Sequence, residues 1–314
     1  MPIRTSYDSI PAPAEPGLPF AKPGRRSLLK LGGAAGLACI FGRTALGQTS
    51  SPRVIVLDWG AAETMIAMGS LPVGLAEIAQ YDRVVADEQK AGPDVADVGL
   101  RLAPNAEALH ALRPSLIVIN SAQAYMRASL ERFAPVHVFE IYGTATEPFA
   151  LAEQATIKLG QAIGAEQAAV SLQTKVTASL QQTRQRLAES DRRPLFVVQL
   201  QDQRHAAVFG KGSLVQGVLD KISIRNAWQG GSDFWGLSVV GLEAFAAVPD
   251  AQMAYFSLPQ VDLEMIRESI FWQNLPPVRQ QRAFALPSLW AYGGLPSAAR
   301  IGSLLAAALT NPHR

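Results

Sequence analysis

Arg101 sits in Asp97-Val98-Gly99-Leu100-Arg101-Leu102-Ala103-Pro104-Asn105, a loop that ends at a helix start capped by Asn105. No helix C-terminus lies there for a cation to serve. A planar guanidinium fork in a loop suits a carbonyl or oxyanion pair on a ligand. It suits a solvated surface position as well, since that is where most arginines sit.

Aromatic residues recur in the loops that follow apolar runs. Trp59 follows the first run, Tyr125 the third, and Trp290 and Tyr292 the last. Trp228, Phe234 and Trp235 crowd one glycine-rich stretch, Asn226-Ala227-Trp228-Gln229-Gly230-Gly231-Ser232-Asp233-Phe234-Trp235-Gly236. Rings with polar tips at such places suit a ligand that is partly apolar and partly hydrogen-bonding. Trp59 and Trp228 serve equally well as packing between neighbouring elements.

Covalent or metal chemistry finds little support. There is no G-x-S-x-G turn, and Gly230-Gly231-Ser232-Asp233 does not supply one. Phe209-Gly210-Lys211-Gly212-Ser213 lacks the spacing of a phosphate loop. The four histidines, His110, His137, His205 and His313, have no paired spacing. The single cysteine, Cys39, excludes an internal disulfide or a cysteine-built cluster. A hydrolase would need a nucleophile–base pair, and none is recognisable.

The elements that must position these residues alternate. Strands are predicted at Arg53–Asp58, Val73–Ala76, Ser115–Asn120 and Val136–Ile141, with helices at Ala61–Met68 and Asn105–Leu112 between them. From Pro148 to Ser190 the apolar spacing is helical. Gly160 and Gly164 divide it into a shorter helix and a longer one, about Ala165 to Glu189, long enough to cross between two lobes. After Pro194 strands return at Leu195–Leu200, Ala206–Phe209, Ala251–Phe256 and Ala283–Leu286. Helices are expected at Leu214–Lys221 and Pro296–Leu309. The expected fold is two α/β lobes with parallel sheets, residues 51–147 and 193–314, joined by connecting helices in 148–192 of which a single long one makes the crossing. In such sheets ligands bind beyond the carboxyl ends of the strands.

Residues 1–24 are rich in proline and glycine and have no apolar period. Gly24-Arg25-Arg26-Ser27-Leu28-Leu29-Lys30 then resembles a twin-arginine export signal. The apolar stretch after it, Leu31 to Phe41, is too short to span a bilayer. Ala45-Leu46-Gly47 places cleavage after Gly47, making residues 1–47 a signal peptide. A lipid anchor at Cys39 is disfavoured, because Gly36 stands where a lipoprotein box has leucine. Six of the Lys and Arg residues but only two acidic residues fall in 1–47, so that segment carries a formal charge of +4 and the basic excess of the chain belongs to it alone. The remainder is slightly acidic, which argues against nucleic acid as a partner.

Four segments, Asp97 to Asn105, Val208-Phe209-Gly210 with Ser213-Leu214, Asn226 to Gly236 and Leu286 to Gly294, resemble the periplasmic ferric-hydroxamate siderophore-binding family. The resemblance runs from about Arg53 to the end and is most specific in N-A-W-Q-G-x-x-x-F-W-G. It implies a class III periplasmic binding protein-like fold, a monomeric binding protein rather than an enzyme, and an ABC importer permease with its ATPase as partners. The ligand would be an iron(III)-hydroxamate complex, with no cofactor and no metal ligand from the protein. Haem, cobalamin or another siderophore class is the alternative ligand. Carried over residue by residue, Arg101 and Tyr125 would bond the hydroxamate oxygens. Trp235, Trp290 and Tyr292 would form aromatic walls with Leu214 beneath, and Glu107 and Glu243 would dock the permease. The family's first-lobe tryptophan is missing near Val85.

Overall fold

A computed structural model describes residues 52–143 and 147–310. The expected export signal, its cleavage point and Cys39 lie outside the described residues.

The first lobe is built on strands β1 (Val54–Val56), β2 (Gly74–Leu75), β3 (Ala96–Asp97), β6 (Leu116–Asn120) and β7 (Val136–Phe139). They pair in parallel in the order β3-β2-β1-β6-β7. A small antiparallel pair, β4 (Gly99–Leu100) and β5 (Ala103–Pro104), carries Arg101 in its turn. Helices α1 (Trp59–Ala67), α2 (Ile78–Val84), α3 (Ala106–Leu112) and α4 (Arg127–Leu130) flank the sheet. Val54 to Leu57 are wholly buried, as a β-branched run covered on both faces requires.

Two helices follow, α5 (Pro148–Ile163) and α6 (Glu166–Arg186). Gly164, at φ 71°, ends α5 in the left-handed conformation that favours glycine. The division at Gly164 is the expected one, but the crossing is made by the shorter helix. α5 packs on α1 and β7 of the first lobe and on α7 (Leu214–Lys221) of the second, whereas α6 packs on the C-terminal helix α11 (Leu295–Thr310). Close contacts explain the path: Gly217 of α7 leaves space for Phe149 of α5, and Gly302 of α11 for Leu180 of α6.

The second lobe holds β8 (Leu195–Leu200), β9 (His205–Phe209), β10 (Leu237–Gly241), β11 (Gln252–Ser257) and β12 (Ala283–Ala285), in the order β10-β9-β8-β11-β12. β8, β11 and β12 are parallel, while β9 and β10 are antiparallel additions at one edge. The parallel part of the sheet is the one expected from the alternation, and the two edge strands extend it. β8 returns through the short turn after Leu200, which only antiparallel strands permit. Three short helices, α8 (Leu263–Glu268), α9 (Ile270–Gln273) and α10 (Pro276–Arg279), lie between β11 and β12.

Each sheet has a private core on one face, around Ile55, Leu109 and Ile117 in the first lobe and around Phe196, Phe245 and Trp272 in the second. Between them runs one shared core, in which Val56 and Phe139 of the first lobe, Phe149 and Leu159 of α5, and Phe209, Val218 and Leu305 of the second belong to a single cluster. Burial continuous across both lobes resists large hinge motion.

Candidate functional site

The carboxyl ends of both sheets meet at a cleft of about 260 Å3 lined by Asp58, Arg101, Asn120, Gln201, Asp233, Trp235, Leu237, Trp290 and Tyr292. Strand ends place the polar groups of the first lobe. Asp58 follows β1 and caps α1, accepting the Ala61 N–H at 2.8 Å. Asn120 ends β6 and donates through Nδ2 to Asp58 Oδ2 at 2.9 Å. Burial pushes the Asp58 carboxyl above its ordinary range, opposed by the hydrogen bonds from Asn120 and Ala61 and by the charge of Arg101.

Arg101 is held from several sides. Its Nε donates to Glu77 Oε2 at 2.8 Å, and its backbone N–H donates to Glu77 Oε1 at 3.2 Å. The Gln123 amide donates to the Arg101 carbonyl at 3.0 Å and to the Leu57 carbonyl at 3.1 Å, tying the turn to β1. The guanidinium carbon stands 3.9 Å from the centroid of the Trp59 ring and 5.3 Å from that of Trp290. Among the described residues its only side-chain hydrogen bond is the one from Nε, so both terminal nitrogens have no hydrogen-bond partner there.

The aromatic wall is continuous. Trp290 lies edge-on to Trp59 at 4.7 Å and against Tyr292 at 5.0 Å; Tyr292 meets Trp235 at 6.0 Å. Trp59 is buried and donates its Nε1 to the Ala76 carbonyl at 2.9 Å, so it is the floor beneath Arg101. The Tyr292 hydroxyl is pushed up to about 12, by burial first and then by the charge of Asp233. Trp228 does not join the wall. Its ring covers Gly210 and Gly230 and its Nε1 donates to the Gly231 carbonyl at 3.2 Å, which shapes the loop that presents Trp235.

Of the six residues expected to contact ligand, Arg101, Trp235, Trp290 and Tyr292 come together in the cleft. Tyr125 does not line it. The capping box between Asn120 and Gln123 winds Ser121–Met126 into a 3-10 helix that buries Gln123 and Met126 and leaves Tyr125 70% exposed. Leu214 is wholly buried as the first residue of α7, in the core shared by the lobes. Val85, where no tryptophan stands, is buried; its neighbour Val84 accepts from the Trp290 N–H at 3.1 Å and from Arg300 Nη1 at 2.6 Å. Glu107 is exposed in the first turn of α3. Glu243 is exposed too, but in a 3-10 helix, Leu242–Ala247, rather than at the start of an α-helix.

Sequence reasoning misses Asp58, Glu77, Asn120, Gln201 and Asp233. Asp58 and Asn120 have a legible signal: each is the first polar residue beyond a buried β-branched run. Among the described residues no group of three His, Cys, Asp or Glu side chains could hold a metal ion, and no helix is long and apolar enough to cross a membrane.

A family model described as periplasmic binding protein matches residues 54–289. The iron(3+)-hydroxamate-binding protein FhuD of Escherichia coli K12 is 32% identical over 247 residues, covering 78% of this chain and 83% of that protein. The Fe(3+) dicitrate-binding periplasmic protein FecB of the same organism is 24% identical, over 78% and 80%. Among solved structures, FhuD from Vibrio cholerae bound to Fe3+-Desferal superposes with a TM-score of 0.79 at 24% identity, covering 84% of this chain and 99% of that one. The two lobes and their helical connection thus have a counterpart in known proteins, and the chain belongs to the periplasmic binding protein family.

Proposed function

We propose that this protein captures iron(III)-hydroxamate siderophores in the periplasm and delivers them to the permease and ATPase of an ABC importer. The observation that carries the reading is Arg101, presented with two unengaged nitrogens at the rim of an aromatic cleft. Iron(III) is a hard ion satisfied by hydroxamate oxygens, so the protein needs no metal ligand of its own. The oxygen face of the complex would take the Arg101 fork, and Trp235, Trp290 and Tyr292 would contact its carbon frame. A volume of about 260 Å3 lies just below the usual range for small-molecule sites. It suits one face of the complex while the rest projects outward, and such a site accepts several frames. The relative that is 32% identical is an iron(3+)-hydroxamate-binding protein, which supports this ligand over haem, cobalamin or other siderophore classes.

Export would use the twin-arginine route, with the mature monomer beginning at Gln48. Glu107 and Glu243, one on each lobe, would meet basic groups on the permease. Tryptophan fluorescence titrated with iron-loaded and iron-free ferrichrome, haem and cobalamin tests the ligand. Saturable quenching by the iron-loaded hydroxamate alone is expected. Equal or tighter binding of haem or cobalamin would overturn the reading.

A further inference from the structure

The ionised groups around the cleft are unevenly matched. Among the described residues lining it, Arg101 is the one cation, and its Nε is already bonded to the Glu77 carboxylate. Asp58 and Asp233 line the same cleft, but Asp58 is buried and both its oxygens accept from the protein, from Ala61 and Asn120. Asp233 Oδ1 accepts the N–H groups of Trp235 at 2.8 Å and Leu237 at 3.1 Å, while Oδ2 has no partner among the described residues. Asp233 is exposed, and its charge is felt at the Tyr292 hydroxyl. The remaining polar lining, Asn120 and Gln201, carries no charge. One carboxylate thus already pairs with the guanidinium, and a second, Asp233, turns a free oxygen toward solvent at the cleft.

We propose that this cleft selects ferric complexes by net charge, accepting neutral and cationic ones and rejecting anionic ones, with Asp233 as the discriminating residue. The inference rests on the reading of the site as a ferric-siderophore cleft and adds a rule within it. Three hydroxamates balance the charge of iron(III), so their complex enters without a like-charge penalty. A pendant ammonium is attracted to Asp233. Three catecholates leave three negative charges uncompensated, and Arg101, already paired, cannot offset them. A partly enclosed cleft strengthens such a field relative to water.

The test holds iron coordination constant and changes only a remote charge. Ferrioxamine B carries one ammonium; its N-acetyl derivative is neutral; its N-succinyl derivative is anionic. At low ionic strength the full-length mature protein is expected to bind the anionic member at least about five-fold more weakly than the neutral one, and the cationic member at least as tightly. Added salt should close the gap, because exposed charges are screened. Asp233→Asn keeps the Oδ1 acceptor and should narrow the spread between cationic and anionic members. Equal affinities for all three at low salt overturn the charge rule and leave the hydroxamate reading standing. A spread that neither salt nor Asp233→Asn alters also overturns it. Failure of all three to bind overturns both readings.

Discussion

The guanidinium of Arg101 lies 3.9 Å from the centre of the Trp59 ring, which is itself buried and bonded to the Ala76 carbonyl. Arginine and tryptophan come from the ends of different strands, and the stack fixes the one basic group of the cleft without using its terminal nitrogens. Trp290 closes the same guanidinium from the second lobe at 5.3 Å. The site is therefore assembled across both lobes.

The lobes are also joined behind the cleft. Glu63 of α1 is buried and accepts the N–H groups of Gly294 at 2.8 Å and Ser297 at 3.2 Å at the start of α11. Burial pushes its carboxyl up to about 7, from an ordinary 4.5. Between these values the native state holds a proton that the unfolded chain releases, so stability from this group falls as pH rises through that window. The full effect is about 3 kcal/mol. Urea unfolding at pH 5 and pH 7.5 should show the decline, and Glu63→Gln, which keeps the acceptor oxygen, should flatten it. An unchanged slope in that variant would assign the decline to other groups.

Gly236 follows Trp235 and has φ 76°; a Cβ there would collide with the backbone of Gly212 and Ser213. Gly236→Ala should cost at least about 1–3 kcal/mol from backbone strain alone. Gly231, in the same loop, has open space where a Cβ would stand, so Gly231→Ala should stay within about 0.5 kcal/mol. Chemical denaturation of both variants checks the contrast, and equal losses would contradict it.

Much of the scaffold is legible in the sequence because buried parallel strands must be short and β-branched. Val54–Val56 and Leu116–Asn120 announce themselves, and α7 is readable to the residue between Ser213, which caps it, and Lys221. β10 escapes a pattern search because Leu237–Gly241 is half exposed and ends in glycine. Helices α8 to α10 have six, four and four residues, too few for a helical period to show. At the site, rare tryptophans in loops are visible. Asp58 and Asn120 stand at visible places, the first polar residues after buried runs, but capping residues are ordinary at strand–helix junctions and nothing in the sequence marks these two as site residues. Tyr125 follows the strand Leu116–Asn120 as expected, and its outward turn depends on Gln123, whose capping role only the folded geometry reveals.

Glu107→Ala with Glu243→Ala should leave siderophore affinity intact and abolish iron uptake in cells, since both residues are exposed and neither lines the cleft. Exposed ion pairs steer and register docking more than they supply affinity. Normal uptake by the double variant would place docking elsewhere and leave these residues as helix-start acids alone.

Replacing Arg25 and Arg26 by lysine should leave uncleaved precursor in the cytoplasm. Cell fractionation and N-terminal sequencing read the outcome. Continued export, with the mature chain starting near Gln48, would remove the twin-arginine assignment.

The most direct measurement is calorimetric titration of the mature protein and its Arg101→Ala variant with a neutral ferric trihydroxamate. The variant should remain folded, since a loop arginine buries little apolar surface. It should bind more weakly by about 1.5–3 kcal/mol, the range for hydrogen bonds to a charged group. That is roughly ten- to a hundred-fold in dissociation constant. A folded variant with an unchanged dissociation constant would contradict the assignment of Arg101 as the group that recognises the iron-bound oxygens.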